Sequence, residues 1–210
     1  MKRCKKCITP DTLIDLDENG ICSGCRNIGT KKRIDWNNRR KQLEEILNKY
    51  RKNDGGYDCI IPVSGGKDST YQVYLMKDVF KMHPLCVTFA ACGSTKTGEY
   101  NFANLKNLGV DHILFTPNPK IYRKLYRLGF EKTGDSCYPC HRGIFTVPAR
   151  IAVDMKIPLL IWGENSQAEY GGPAADAQNP YLDRRWVEVY SGVKEVGPRE
   201  FLKEGFTEFE

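Results

Sequence analysis

The stretch that most constrains this chain is residues 57–70, Tyr-Asp-Cys-Ile-Ile-Pro-Val-Ser-Gly-Gly-Lys-Asp-Ser-Thr. A short apolar run leads into the polar Ser-Gly-Gly-Lys-Asp-Ser segment, and a helical pattern follows it. Two adjacent glycines allow a sharp turn that brings backbone N–H groups close to an anion. The first turn of the helix adds unpaired N–H donors and the positive end of its dipole. The stretch therefore predicts a strand, an anion-binding loop suited to pyrophosphate, and a helix.

Side chains of the same loop supply the rest of the predicted phosphate site. Lys67 offers a positive charge and Asp68 a carboxylate suited to Mg²⁺, so we assign these two residues the catalytic roles. The residues expected to contact the nucleotide are Ser64, Gly65, Gly66, Lys67, Asp68, Ser69 and Thr70. The Gly-x-x-x-x-Gly-Lys-Ser/Thr spacing of a Walker A loop is absent. The alternative is a glycine-rich β-turn before an unrelated helix, but the strand context and the Lys-Asp pair favour anion binding.

Residues 1–30 carry two Cys-x2-Cys pairs, which predict a small zinc-ribbon-like module. The candidate ligands of a structural Zn²⁺ are Cys4, Cys7, Cys22 and Cys25. Gly20 and Gly24 lie where tight turns require positive φ. So small a module cannot bury a core of its own, and we expect the metal to supply its folding free energy. The alternative is four unconnected thiols.

Composition narrows the class of protein. The 210 residues are 40% hydrophobic and 28% charged, which is typical of a globular chain. No apolar run approaches the roughly 20 residues of a membrane span, and the basic N-terminus lacks the apolar core of a signal peptide. We therefore expect a cytoplasmic protein whose nine cysteines bind metal or remain free thiols. The net charge of +6 suits anionic partners, but charge alone does not distinguish nucleic acid from a nucleotide.

After the cysteine pairs, the sequence divides into a linker helix (residues 31–55) and a larger domain (residues 56–210). Asp35 is a potential N-cap of the linker helix. The apolar residues of this helix lie at helical spacing: Trp36, Leu43, Ile46, Leu47 and Tyr50. In the domain, strands are predicted over 85–90, 112–115 and 158–162, and helices over 69–81, 98–108, 119–128 and 144–155.

This alternation of strands and helices predicts an α/β fold. We expect an open, doubly wound parallel sheet with helices on both faces. Ligands of such sheets bind outside the carboxyl ends of the strands. The loops after the first strand, after Ala90 and after Trp162 are expected to converge there.

Polar side chains follow the last predicted strand directly, over residues 162–172. Loops at this edge of a sheet commonly carry function, so we expect the segment to bind substrate. The predicted substrate-binding residues are Arg142, Glu164, Asn165, Gln167 and Glu169. The alternative is a polar loop that only caps the sheet edge.

The Cys-Tyr-Pro-Cys-His segment at residues 137–141 allows three interpretations. It could be half of a second metal site, whose third ligand would be Cys59, Cys86 or Cys92. It could lie at a helix N-terminus that faces the nucleotide or substrate, where Arg142 would meet an anion. It could also be a turn with free thiols, since Cys-x2-Cys alone is ambiguous.

Ser-Gly-Gly-Lys-Asp-Ser at residues 64–69 resembles the PP-loop of the ATP pyrophosphatases. Several segments read together resemble one branch of that superfamily, the N-acetyl sugar amidotransferases of bacterial surface-polysaccharide biosynthesis. These segments are Met-Lys-Arg-Cys-Lys-Lys-Cys at 1–7, Ile-Pro-Val-Ser-Gly-Gly-Lys-Asp-Ser at 61–69, Leu-Gly-Val-Asp-His at 108–112, the cysteine segment at 137–141, and Trp-Gly-Glu-Asn at 162–165. The resemblance extends from the N-terminus to about Trp186.

The resemblance implies an ATP-dependent amidotransferase that turns a sugar acetamido group into an acetamidino group, for lipopolysaccharide O-antigen or another surface glycan. ATP would adenylate the amide oxygen and release pyrophosphate, and ammonia would then displace AMP. The resemblance also implies Mg²⁺, a nucleotide-linked N-acetyl sugar as substrate and a separate glutaminase subunit that supplies ammonia. It implies no membrane and no nucleic-acid partner.

Two other functions compete with this interpretation. One is a PP-loop enzyme that thiolates or amidates tRNA, and the other is a non-catalytic zinc-ribbon binding protein with a vestigial nucleotide site. The chains of the resembled family run further than this sequence. We therefore expect some sugar contacts to be missing here, with three alternatives open: a naturally short variant, a fragment, or a chain that is inactive alone. The loop after Ala90 matches the family only loosely. We therefore do not carry over the family's adenine and sugar contacts to this loop.

Overall fold

The computed structural model describes residues 1–12, 14–91, 93–164, 181 and 198–207. They divide into two compact units, one with residues 1–45, 164 and 181 and one with residues 46–163 and 198–207. The described helices are α1 (Ser23–Lys31), α2 (Trp36–Tyr50), α3 (Lys67–Tyr74), α4 (Lys96–Leu105), α5 (Pro119–Thr133), α6 (Tyr138–Asp154) and α7 (Pro198–Lys203). The described strands are β1 (Cys59–Pro62), β2 (Pro84–Phe89) and β3 (Asp111–Phe115). None of these helices has the length and apolar character needed to cross a membrane.

The larger unit is built on a parallel sheet whose strands pair in the order β1-β2-β3. Ile60 of β1 pairs with Leu85 of β2, which in turn pairs with Asp111 of β3. Next to β1, Ile60 also forms a parallel bridge with Leu160. The predicted α/β fold is confirmed, but the predicted strand at 158–162 is reduced to this bridge. Pro158 at its start has no N–H to donate to a ladder.

A buried carboxylate aligns the start of the sheet. Asp58, which is 2% exposed, accepts hydrogen bonds from the backbone N–H groups of His83, at 2.8 Å, and of Lys52. Its own N–H donates to the carbonyl of His83 at 2.9 Å. Because these donors replace water around the carboxylate, its burial is tolerated. The start of β1 is thereby tied to the residue that precedes β2.

Helix boundaries follow local sequence signals in most places. α2 begins after Asp35, whose Oδ1 accepts the N–H of Asn38 at 3.0 Å, as predicted. The helical stretch that begins with α4 stops at Gly109, where φ is 64°. The predicted starts of three helices are wrong. α4 begins earlier, at Lys96. α3 begins earlier, at Lys67, and continues as a π-helical turn over Leu75–Val79. α6 begins earlier, at Tyr138. Pro139 is tolerated in the first turn, because backbone N–H groups there have no intrahelical acceptor and the missing N–H breaks no hydrogen bond.

Besides α1 and residues 36–45 of α2, the described residues of the smaller unit have little regular structure. Isolated antiparallel bridges join Arg3 to Pro10 and Leu16 to Cys22. Gly20 has φ 74°, as predicted. The prediction of positive φ at Gly24 is wrong, because this residue lies inside α1.

A glycine allows the sheet and α6 to approach closely. A Cβ atom at Gly143 of α6 would lie 2.3 Å from the ring of Phe89, at the end of β2. Near the C-terminal end of α6, the contact between this helix and the sheet is made by apolar side chains. The buried members of that core cluster are Ile60, Leu85, Val87, Ala152 and Ile157.

We expect Gly143→Ala to lower the free energy of unfolding by about 1–3 kcal/mol, because the new methyl group overlaps the Phe89 ring. Urea unfolding of the full chain measures the change. Gly98→Ala in α4 is the control, since the nearest atom to a Cβ there is 3.5 Å away, at Thr95 Oγ1. Equal stability of the two variants would contradict the close contact.

Candidate active site and a four-cysteine cluster

The Ser-Gly-Gly loop (residues 64–69) begins where β1 leaves the sheet. The N–H of Val63 donates to the Val87 carbonyl at 2.9 Å. Gly65 then has φ 73°, in the left-handed region that side chains rarely adopt. Gly66 has φ −76° and ψ 166°, an extended conformation, and α3 begins directly after it. Of the two glycines, Gly65 makes the turn and Gly66 leads into the helix.

Hydroxyl groups close the loop on itself. The N–H of Ser64 donates to Ser69 Oγ at 3.2 Å, and the N–H of Gly66 donates to Ser64 Oγ at 3.3 Å. The hydroxyls of Ser69 and Thr70 donate to the Gly66 carbonyl at 3.2 and 2.9 Å. An oxygen of an anion is a stronger acceptor than a hydroxyl oxygen. The loop can therefore exchange its long internal hydrogen bonds for bonds to an anion.

Lys67 and Asp68 form an ion pair in the first turn of α3. Lys67 Nζ lies 2.7 and 2.8 Å from the two carboxylate oxygens of Asp68. The two side chains are 87% and 72% exposed. An ion pair this exposed contributes at most about 1 kcal/mol. Either side chain can consequently turn to a ligand at small cost.

A hydrogen-bond relay runs beneath the loop across the sheet. Thr88 of β2, which is 3% exposed, donates from Oγ1 to the Val63 carbonyl at 2.6 Å. The same Oγ1 lies 2.8 Å from Nε2 of His112 in β3. Since the hydroxyl proton points to Val63, His112 must donate through its Nε2–H. Desolvation lowers the pKa of His112, which favours the neutral ring in this position.

Aromatic and aliphatic contacts extend this support to the turn. The ring of His112 stacks on Phe102 of α4, with centroids 6.1 Å apart. A Cβ atom at Gly65 would lie 3.5 Å from both Asn101 Cβ and the Phe102 ring. Sequence reasoning missed Thr88, His112 and Phe102, because their contacts join elements distant in the chain. A polar threonine inside the apolar run of β2 was the available signal.

Gln72 of α3 meets the chain that follows the Leu160 bridge. A Cβ atom at Gly163 would lie 2.8 Å from Gln72 Nε2, so the two elements approach closely there. Gln72 Oε1 is buried and has no hydrogen-bond partner among the described residues. A buried carbonyl oxygen without a donor is unfavourable.

The structure describes only part of the predicted substrate-binding set. Arg142 lies in α6, with its guanidinium carbon 5.5 Å from the centre of the Tyr138 ring, which is a cation–π contact. Glu164 is exposed and belongs to the other unit of the fold. Asn165, Gln167 and Glu169 lie outside the described residues. The substrate-binding role of these residues stays a prediction.

Cys137 and Cys140 lie at the N-terminus of α6, the helix position that one of the three interpretations expected. The part of that interpretation in which they face the nucleotide or substrate stays a prediction. Cys137 is exposed in the N-cap position, and Cys140 is buried in the first turn. Cys140 Sγ lies 2.9 Å from the Tyr122 hydroxyl and 2.7 Å from the Tyr126 hydroxyl. Burial, reinforced by the contact with Cys140, raises the pKa of Tyr122, so this hydroxyl keeps its proton.

The metal half-site interpretation of residues 137–141 requires a third ligand. Cys59 and Cys86 are fully buried in β1 and β2, and burial raises the pKa of each thiol to about 12. Among the described residues, neither thiol forms a group of potential metal ligands with Cys137 and Cys140. Cys92 lies outside the described residues. Neither described candidate supports a second metal site.

The four cysteines of the N-terminal unit come together, with sulfur atoms within 4.8 Å of one another. The described part of the chain holds no other such group of three or more His, Cys, Asp or Glu side chains. The N–H groups of Cys22 and Lys6 donate to Cys4 Sγ at 3.3 and 3.4 Å. The N–H of Cys25 donates to Cys22 Sγ at 3.4 Å. Four adjacent sulfurs with backbone N–H donors fit tetrahedral thiolate ligation of Zn²⁺.

The electrostatics of the cluster show why four thiolates would need a cation. The N–H of Cys22 lowers the pKa of Cys4 to about 6, and the Thr9 hydroxyl lowers the pKa of Cys7. In contrast, the neighbouring Cys7 sulfur raises the pKa of Cys25 to about 12. Charge already present in the cluster opposes further ionisation. A divalent cation would remove this opposition.

Residues 20–24, Gly-Ile-Cys-Ser-Gly, share the Gly-x-nucleophile-x-Gly pattern of a nucleophile elbow. Such an elbow exposes its nucleophile, whereas Cys22 is 3% exposed. Its Sγ lies 3.7 Å from Cys7 Sγ, inside the four-cysteine cluster. The geometry therefore assigns Cys22 to the cluster and gives no support to a glutaminase nucleophile here.

The fold and the loop together define an α/β protein with a left-handed glycine turn and a helix start at the carboxyl end of its first strand. No family model matches the chain. In sequence the chain is similar to MJ1599, an uncharacterized protein from Methanocaldococcus jannaschii, with 29% identity over 165 residues. That match covers 77% of this chain but 58% of the relative, so the chain spans less than two thirds of that protein's length.

Two solved structures are similar to parts of the fold. The NH3-dependent NAD synthetase from Campylobacter jejuni shares 16% identity at a TM-score of 0.46, over 83% of this chain and 79% of that chain. A predicted subunit of tRNA methyltransferase from Methanocaldococcus jannaschii shares 21% identity at a TM-score of 0.37, over 67% of this chain and 66% of that chain. At these TM-scores neither likeness carries an argument about this chain's function.

We expect Gly65→Ala to lower the free energy of unfolding by about 1–2 kcal/mol, because a Cβ is disfavoured at φ 73°. The matched control is Gly66→Ala, whose φ is ordinary and whose Cβ would meet only the Ser64 hydroxyl, at 3.2 Å. Urea unfolding should separate the two variants. A larger loss for Gly66→Ala would show that the turn has been assigned to the wrong glycine.

Proposed function

We propose that this chain is an AMP-forming enzyme of the ATP pyrophosphatase type, and that it amidates the acetamido group of a nucleotide-linked sugar. The observation that carries the proposal is the Ser-Gly-Gly loop at the carboxyl end of β1. Gly65 is left-handed there, and α3 starts directly after Gly66. Parallel sheets bind ligands at this edge, and a helix N-terminus favours phosphate. The PP-loop resemblance of the same residues supplies the reaction type.

The loop would stabilise the pyrophosphate that leaves when ATP is cut between its α- and β-phosphates. The N–H groups of Ser64 and Gly66 and the hydroxyls of Ser69 and Thr70 would donate to phosphate oxygens. Negative charge develops on pyrophosphate as the bond breaks, and donors fixed in advance stabilise it without reorganisation. No nucleophilic side chain is required, because the attacking atom is the amide oxygen of the substrate.

The buried relay would orient the first of these donors. The Val63 carbonyl and the Ser64 N–H belong to one planar peptide unit. Thr88 fixes the carbonyl side of this unit at 2.6 Å, so the N–H side keeps its direction toward the loop. We assign Thr88 and His112 as positioning residues for the phosphate site.

Lys67 and Asp68 would serve the charges of ATP. The exposed carboxylate of Asp68 lies beside the loop and suits Mg²⁺, whose chemistry there is to neutralise phosphate charge. Asp68 would hold the metal and Lys67 would turn to a phosphate oxygen. Their present ion pair would be given up at a cost of about 1 kcal/mol or less.

The second half of the reaction needs ammonia and an activated amide. The adenylated acetamido carbon would be attacked by ammonia, with AMP as the leaving group and an acetamidino sugar as the product. We propose a glutaminase subunit as the source of ammonia, since Cys22 is committed to the cysteine cluster. Arg142, Glu164, Asn165, Gln167 and Glu169 are proposed to contact the sugar nucleotide. The setting would be synthesis of a surface glycan such as lipopolysaccharide O-antigen in the cytoplasm.

We propose that Cys4, Cys7, Cys22 and Cys25 hold a structural Zn²⁺. The proposal is supported by four sulfurs within 4.8 Å of one another and by backbone N–H donors to two of them. Four thiolates complete a tetrahedral shell and leave no position for a substrate. The metal would therefore stabilise the unit without entering the reaction.

A second candidate function is modification of tRNA by the same ATP chemistry. It is favoured by a basic face of α5, on which four exposed side chains recur at helical spacing. They are Lys120, Arg123, Lys124 and Arg127. Arg127 also pairs with Glu131 at 2.7 Å, which reduces the charge of this face.

We expect the full chain with ATP, Mg²⁺, ammonium and diacetamido sugar nucleotides to release AMP and pyrophosphate. Asp68→Ala should lower the rate at least about 100-fold, because the metal and its charge neutralisation are lost. Chromatography of labelled nucleotides measures the products, and calorimetry measures Mg²⁺-dependent binding of ATP. Asp78→Ala is the control, since Asp78 is an exposed carboxylate on the helical segment that follows α3.

Three outcomes decide between the functions. AMP release that depends on a sugar nucleotide supports the amidotransferase, and release that depends on a tRNA transcript supports the second candidate. ADP as the product, or ATP binding that Asp68→Ala leaves unchanged, would contradict both.

For the metal, we expect the purified chain to contain about one Zn²⁺ and Cys22→Ser to lose most of it. The variant should also unfold the N-terminal unit at lower temperature, because the metal supplies its folding free energy. Elemental analysis and thermal unfolding measure both effects. Cys137→Ser, a change at an exposed thiol outside the cluster, should retain the metal. Equal zinc in the two variants would refute the assignment.

A further inference from the structure

A second group of cysteines lies outside the phosphate loop and outside the four-cysteine cluster. Cys137 precedes α6 and Cys140 lies in its first turn. The backbone N–H of His141 donates to the Cys137 carbonyl at 3.1 Å, so the helical turn already includes Cys137. Residues three apart in a helix have Cα atoms about 5 Å apart, within the range that a disulfide spans.

The two thiols differ in access. Cys137 is exposed, whereas Cys140 is 7% exposed. An incoming reagent can therefore reach Cys137 first, and among the described cysteines Cys137 is the neighbour in the helical turn that can present a sulfur to Cys140. Cys59 and Cys86, in contrast, are fully buried within the strands.

Two tyrosine hydroxyls hold the sulfur of Cys140. Tyr122 and Tyr126 lie on α5, and their hydroxyls are 2.9 and 2.7 Å from Cys140 Sγ. Their rings meet edge to face, with centroids 4.9 Å apart, so the two hydroxyls are held together by packing. Donors at a sulfur stabilise the negative charge that it carries when a disulfide bond to it breaks.

We propose that Cys137 and Cys140 form a redox-active dithiol that closes to an intramolecular disulfide on reaction with a small-molecule disulfide of the glutathione type. Cys137, deprotonated by solvent, attacks the reagent, forms a mixed disulfide and releases one thiol. Cys140 then attacks the Cys137 sulfur and releases the second thiol, with its proton passing to that thiol. The net change oxidises the two protein thiols and reduces one small-molecule disulfide to two thiols.

This dithiol also affects the carboxyl edge of the sheet. Closing the disulfide draws Cys140 Sγ away from the tyrosine hydroxyls, which then lose an acceptor. Tyr122 packs edge to face on Phe89 at the end of β2, with ring centroids 5.6 Å apart. The change in the thiols is thereby transmitted to the end of a central strand. The dithiol itself does not depend on the proposed ATP chemistry.

The test uses the full chain, equilibrated in buffers of reduced and oxidised glutathione, quenched with acid, alkylated and digested with trypsin. Cleavage after Lys132 and Arg142 gives the peptide 133–142, whose only cysteines are Cys137 and Cys140. We expect this peptide to lose two hydrogens as the oxidised fraction of glutathione rises, and to regain them with dithiothreitol. Cys140→Ser should stop at a glutathione adduct on Cys137, and Cys137→Ser should leave Cys140 unreacted.

A tyrosine variant tests the role of the hydroxyls. Tyr126→Phe should shift the glutathione ratio at half-oxidation about fivefold toward the disulfide, because the reduced sulfur loses a donor. Tyr100→Phe, at an exposed tyrosine of α4, should leave the ratio unchanged. A peptide that carries two alkyl groups at every ratio would overturn the proposal. So would a metal that protects both cysteines from alkylation and is released by a chelator.

Discussion

The whole candidate site depends on how one residue, Val63, is held at the end of β1. The N–H of Val63 bonds to Val87 at 2.9 Å, and its carbonyl accepts from Thr88 at 2.6 Å. Both polar groups of Val63 are therefore committed to β2, and the chain leaves the sheet at one fixed point. The left-handed turn at Gly65 follows at once and aims the chain into α3. A loop that began one residue later would present different N–H groups to a ligand.

The side chains on the sheet side of Val63 are buried and those of the loop after it are exposed, and their roles differ accordingly. Inside the sheet, Thr88 is 3% exposed, and its partner His112 stacks on Phe102. These side chains support the loop and do not contact a ligand themselves. In the loop, Lys67 and Asp68 stand in solvent with an ion pair that costs little to open. The rigid support suits the phosphate site that we propose, because donors fixed in advance stabilise developing charge without reorganisation.

The sequence predicted what depends on local pattern. The parallel α/β fold, the helix after the loop, the N-cap at Asp35 and the stop at Gly109 follow from periodicity and from single residues. Contacts between residues distant in the chain left no comparable pattern in the sequence. The bond between Thr88 and His112 joins different strands, and the approach of Gln72 to Gly163 joins a helix to a later segment. Gly24 was misjudged because glycine is compatible with both a turn and a helix, and the local pattern did not show that α1 begins there.

The cysteines show how environment, rather than residue type, assigns a chemical role. At Cys59 the thiol is a core side chain, and burial in the strand raises its pKa to about 12 and suppresses its reactivity. At Cys4, backbone N–H donors lower the pKa to about 6 and prepare a thiolate for a cation. At Cys140, two phenol groups hold a sulfur beside an exposed partner in the same helical turn. Spacing predicts a metal site from two Cys-x2-Cys pairs and leaves a third pair ambiguous. Hydrogen-bond donors and solvent access to the sulfurs distinguish the third pair from the first two. A structural metal requires a closed shell of four ligands, whereas thiol exchange requires one exposed sulfur.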